Sequence, residues 1–171
     1  NTEDGIEAYV CPMLIPSSHP LASVNDSYNA VFVNGDAVEN AMFYGRGAGE
    51  LPTASAVVGD LFDIARNISA GCCGRIGCTC YKEIPVKKMA DTHNRYFMRL
   101  IVEDRCGVLA EMTAVFAKYG VSVAQIIQKA AREAGSAEVV VITAKVREGD
   151  FRTAMEELSG RSSVRKVSSM L

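Results

Sequence analysis

The chain has 171 residues, with 18 Lys and Arg against 20 Asp and Glu, a formal net charge of -2. Its 49% hydrophobic and 22% charged fractions are those of a globular protein, which argues against disorder. The near-neutral balance leaves no dense basic face for nucleic acid, and apolar runs such as Val139-Val140-Val141-Ile142 are too short to cross a bilayer.

The chain opens Asn1-Thr2-Glu3-Asp4-Gly5, without an initiator Met, a basic n-region or an apolar core of a signal peptide. Its first patterned segment starts at Ile6, and the expectation is a cytoplasmic C-terminal piece of something longer. Residues 6–15 are apolar with weak alternation and predict a strand, with Pro12 placing it at an edge or bulge. After the turn-rich Pro16-Ser17-Ser18-His19-Pro20, residues 28–33 and 41–44 predict two short strands joined around Gly35-Asp36. They lack the elements to form a domain alone, so something else is expected to cover them. Behind Gly45-Arg46-Gly47-Ala48-Gly49, the apolar positions Val57, Leu61, Ile64 and Ile68 recur at helical spacing, with Pro52 suited to the first turn. Gly, Pro, Cys and charge then dominate residues 69–94, which read as a linker.

From Arg95 onward the pattern is clearer. Residues 96–103 predict a strand. Val108, Leu109, Met112, Val115, Phe116 and Tyr119 share one face of a helix that stops at Gly120. Two strands over 121–129 and 138–146 flank a turn, Phe151, Ala154, Met155 and Leu158 mark a second helix, and residues 164–171 a last strand. The order β-α-β-β-α-β is the ferredoxin-like arrangement, four antiparallel strands with both helices on one face. The fold class is therefore α+β, and the uncovered sheet face or edge predicts pairing with a second copy.

Where the first of these strands meets its helix stands Asp104-Arg105-Cys106-Gly107-Val108-Leu109. Gly107 leaves room for a ligand, and the amides that open the helix make an anion site suited to an amino-acid carboxylate. Asp104 either caps the helix or takes a ligand's ammonium; a plain cap with a glycine in the turn explains the spacing as well. Gln125 and Gln128, on the following strand, are further candidates for effector contact, against ordinary surface hydrogen bonding.

This run, continued by Ala110 and by Phe116-Ala117-Lys118-Tyr119-Gly120-Val121-Ser122-Val123, resembles the ACT domain of amino-acid-sensing enzymes, with Cys106 where that family usually has Pro. The resemblance implies pairing through the sheets and a small effector bound near Gly107. Ser18-His19-Pro20-Leu21-Ala22-Ser23-Val24, Asn29-Ala30-Val31, Gly35-Asp36 and the run from Tyr44 to Asp60 are similar to the end of the catalytic region of homoserine dehydrogenase. Many bacterial members of that family end in an ACT module. Together the resemblances divide the chain into an incomplete catalytic segment over 1–68, a linker over 69–94 and an ACT domain over 95–171.

The family resemblance implies NAD(P)-dependent interconversion of aspartate semialdehyde and homoserine, with threonine as the expected feedback effector. It also places the Rossmann fingerprint, the catalytic lysine and the substrate carboxylates outside this chain. Accordingly no G-x-G-x-x-G occurs; Gly45-x-Gly47-x-Gly49 has another spacing. By the same resemblance Gly49, with Gly47 beside it, approaches the nicotinamide end of the cofactor, although a turn that merely docks a helix needs the same residues. This chain alone is expected to hold no cofactor and to turn over no substrate.

Of the two histidines, His19 precedes Pro20 in a turn and suits a structural hydrogen bond better than general-base work, and His93 reads as solvated. Cys72, Cys73, Cys78 and Cys80 cluster as C-C-x4-C-x-C. Zinc sites favour separated C-x2–4-C pairs, and disulfides are rare in the cytosol, so reduced thiols are the better reading. Two other accounts of the whole chain stand beside this one: a free-standing amino-acid-binding regulator, and a metal sensor built on the cysteines.

Overall fold

The computed structural model describes residues 5–72, 74, 77, 82–130 and 133–171. They form two compact units: residues 14–81, and residues 82–171 joined by the chain ahead of Leu14. Cys73, Cys78 and Cys80 lie outside the described residues; Cys72 is half-buried, and it, Cys11 and Cys106 are free thiols.

In the first unit β1 (Tyr28–Gly35) pairs antiparallel with β2 (Glu39–Arg46), Tyr28 opposite Arg46 and Gly35 opposite Glu39. Tyr28 and Tyr44 stack in parallel with ring centroids 4.8 Å apart. Alternation along β1 half-buries Ala30 and Phe32 and leaves Val31 and Val33 in solvent. α1 (Glu50–Ser69) follows, with Pro52 in its first turn, where the missing N–H would have had no helical partner. Its apolar positions fall at the predicted spacing, yet none of its residues is buried.

The strand expected over 6–15 does not form. Within 6–15 only Ile6 makes a bridge among the described residues, parallel to Val86; residues 7–15 have no ladder partner among them, and Pro12 can donate no ladder bond.

The second unit contains β3 (His93–Asn94), β4 (Phe97–Glu103), α2 (Val108–Lys118), β5 (Val123–Ala130), β6 (Ser136–Thr143), β7 (Val146–Arg147), α3 (Glu148–Ser159) and β8 (Val164–Met170). Its four-stranded sheet has the order β5-β6-β4-β8, antiparallel throughout, which is the ferredoxin-like order the sequence predicts. The strand expected over 138–146 is divided: β6 stops at Thr143, Ala144 N–H turns to the Ser122 carbonyl at 2.8 Å, and Val146–Arg147 pairs instead with β3. Every second residue of β4 (Met98, Leu100, Val102) is buried against Val108, Met112, Val115 and Phe116 of α2 and Phe151, Ala154 and Leu158 of α3. Val139 and Val141 of β6 complete that layer.

Candidate functional site

The turn between β4 and α2 is fixed by Gly107, whose φ of +91° lies where a side chain is strained. A Cβ placed there would meet nothing within 4 Å, so backbone conformation, not crowding, requires glycine, and the space beside it is open. α2 starts without a side-chain cap; its first helical bond runs from Glu111 N–H to the Gly107 carbonyl at 2.9 Å. The amides of Val108 and Leu109 therefore stand at the positive end of a helix with no side-chain acceptor.

Asp104 does not provide that cap. Its backbone N–H donates to Gly135 O at 3.1 Å, and its exposed carboxylate makes no hydrogen bond or ion pair among the described residues. Arg105 is engaged twice, with Glu103 at 2.9 Å and Glu111 at 3.0 Å, and the bond it donates to Glu103 is the main cause holding its guanidinium further in the charged form. Two of the local carboxylates thus share Arg105, and Asp104 is left to face solvent.

These groups border a cleft of about 410 Å³ that runs from Val102 to Leu109 and takes Gln128 from β5. That volume suits a small ligand. The register explains the choice of glutamine. Gln128 lies opposite buried Val139, on the helix side of the sheet, whereas Gln125 lies opposite Ile142, on the open face. Residues three apart on a strand point to opposite sides, so the cleft includes Gln128 and not Gln125. Cys106 also lines it, with an exposed thiol.

A second, wider hollow of about 780 Å³ lies at the head of α1, lined by Ala48, Gly49, Glu50, Thr53, Ala54 and their neighbours Val57 and Val58. Gly49 has φ +130°, a backbone state for glycine, and Gly47 is covered by the Asn29 side chain, which any Cβ there would strike. Gly47 is not part of the hollow's lining. The lining is almost wholly apolar with one acid and no cation. It offers no cationic side chain for a phosphate.

His19 has the structural role the sequence suggests: its Nδ1 accepts the Leu21 N–H at 3.2 Å and its ring packs 4.8 Å from Phe32. His93 is exposed in β3. No group of three or more His, Cys, Asp or Glu among the described residues is placed to hold a metal. No helix among them is long and apolar enough to cross a membrane. No local pattern announces one polar cluster, in which Tyr9 reaches Asn94 and Tyr96 reaches Glu148, because the partners lie 85 and 52 positions apart.

Comparison with known proteins finds two family matches along the chain. A family profile described as homoserine dehydrogenase matches residues 2–62, and one described as ACT domain matches residues 96–161. The homoserine dehydrogenase of Corynebacterium glutamicum is 41% identical over 170 residues, covering 99% of this chain and 37% of its own length. That of Synechocystis sp. is 39% identical over 173 residues, covering 98% and 40%. The crystal structure of a homoserine dehydrogenase from Thiobacillus denitrificans superimposes with a TM-score of 0.86 at 32% identity, over 99% of this chain and 39% of that one. The chain thus spans about two-fifths of the length of the curated relatives it matches.

Proposed function

From the premise that this chain belongs to the homoserine dehydrogenase family and carries an ACT domain, we propose that it is the regulatory C-terminal part of such an enzyme. The whole enzyme interconverts aspartate semialdehyde and homoserine with NAD(P) in the cytoplasm, and the residues that do this chemistry lie in the other three-fifths of its length. Alone, the 171-residue chain turns over nothing. Residues 1–68 are the end of the catalytic part, 69–94 the connection and 95–171 the ACT domain. Gly49, with Gly47 behind it, meets the nicotinamide end of the cofactor, and a Rossmann domain outside this chain holds the phosphates.

The ACT domain receives an amino acid, with threonine as the first choice. The observation that carries this reading is the uncapped head of α2 beside an unpaired acid. The effector's carboxylate accepts from the Val108 and Leu109 amides, its ammonium meets Asp104, and the Gln128 amide is within the same cleft for a side-chain hydroxyl. Two copies pair through their sheets, and Gln125, on the open face, enters an effector site only from that side.

Calorimetric titration of the chain with threonine and the other common amino acids tests this. Threonine binds to a dimer, and Asp104→Asn weakens it about tenfold or more, the scale of one charge-assisted hydrogen bond of about 1.5–3 kcal/mol. Flat titrations with every amino acid reject the effector site, and a monomer by light scattering rejects the pairing.

A further inference from the structure

The beginning of the chain and the segment ahead of β4 are held together more firmly than a connecting segment requires. Ile6 N–H donates to Pro85 O at 2.9 Å, and Lys87 N–H donates back to Ile6 O at 2.9 Å. Gly5 passes so close that a Cβ would stand 2.6 Å from the Pro85 carbonyl oxygen. Glu7 pairs with Lys87 at 3.2 Å, both side chains largely covered, and the Tyr9 phenol donates to Asn94 Oδ1 at 2.9 Å.

The grip continues from Asn94 into α3. Asn94 pairs with Val146 between β3 and β7, and Glu148 N–H donates to Thr92 O at 2.9 Å. The Tyr96 phenol donates to the Glu148 carboxylate, and its ring stacks on Phe151 with centroids 3.9 Å apart. Arg152 Nε donates to the other Glu148 oxygen at 2.7 Å. Glu148 is only 7% exposed, so its charge depends on these partners. Burial, then the bond to Glu148, pushes the Tyr96 phenol well above its ordinary range and keeps it a donor.

We propose that residues 5–9, gripped by residues 85–94 and bolted through Asn94, Tyr96 and Glu148 to the head of α3, form a conformational clamp. It links the position of α3 to both places where the chain crosses to the other compact unit, after residue 13 and before residue 82. Because the segments that lead to the two crossings are hydrogen-bonded to each other at Ile6, Pro85 and Lys87, a displacement of α3 reaches both segments together. The clamp rests on the fold and does not depend on the identity of any effector.

Linkage makes the test reciprocal: if the strap and α3 are coupled, loosening either one loosens the other. Amide exchange followed by NMR on the whole 171-residue chain reads this directly. Tyr9→Phe, at the strap end, speeds exchange at Ile6 and Lys87 and also at the Glu148 amide, by about fivefold or more. Glu148→Gln, at the helix end, speeds exchange at Ile6 and Lys87 by a similar factor, while the β4 amides keep their protection. Should Glu148→Gln also open β4, the exposed Arg152→Met takes its place with the same readout. The clamp is overturned if Tyr9→Phe leaves Glu148 unchanged, or if the helix-end variant leaves Ile6 and Lys87 unchanged.

Discussion

The two compact units carry similar helical periodicity and opposite burial. α1 has 20 residues and buries none of them, whereas α2 buries four of 11 and α3 five of 12. All the buried hydrophobic side chains among the described residues lie between Met98 and Val164. In α1, Val57, Leu61, Phe62, Ile64 and Ile68 are each more than half exposed. An apolar stripe thus marks a helix that needs a surface; it does not say that the surface is in the same chain. A contiguous exposed stripe of this kind marks an interface, and the rest of the enzyme is the surface we propose for it.

The sharpest way to break this contrast is to separate the units. Residues 82–171 are expected to melt cooperatively by circular dichroism, and residues 14–81 to show no cooperative transition. A sigmoidal melt for 14–81 would remove the distinction. Next in size come single side chains. Phe116→Ala, in the core, is expected to lower the stability of the whole chain in urea by about 3–5 kcal/mol. Phe62→Ala, on exposed α1, should stay within about 0.5 kcal/mol.

Glycines give a smaller contrast of opposite sign. Gly107→Ala forces a side chain into φ +91° and is expected to cost about 1–2 kcal/mol in the same urea assay. Gly59→Ala, mid-helix in α1 with open space around its Cβ, should raise helicity and gain about 0.5–1 kcal/mol of helix stability.

The smallest effect is electrostatic. Lys118, then Arg161 and Tyr119, hold the Glu157 carboxyl down from 4.5 to about 2. Since its pKa is lower folded than unfolded, the stabilisation is full above about pH 4.5 and is lost as pH falls through about 2. Urea midpoints measured from neutral to acid pH should therefore show Glu157→Gln less stable than the parent near neutrality and converging on it toward pH 2. A constant gap across that range contradicts the assignment.

How much was legible depended on sequence distance. Both ACT helices were readable from spacings of three and four, and the glycine turn at Gly107 from its place between a strand and a helix. The strand order of the sheet was readable from the succession of elements. The bridge that replaced a strand at 6–15, the division of 138–146 at Ala144, and the Tyr9–Asn94 and Tyr96–Glu148 bonds were not, because each depends on a partner tens of residues away. Which glutamine enters the cleft was intermediate: alternation shows that Gln125 and Gln128 face opposite sides, but only the register with β6 tells which side holds α2.

By itself the sequence determined the elements, their order, the family and the position of the cleft-forming turn, because periodicity, turn chemistry and contiguous motifs are local. Only the tertiary structure decided which apolar faces are covered, which acid is left unpaired and what grips the chain's first residues. Burial and charge pairing belong to groups brought together from distant positions, and no local pattern specifies them.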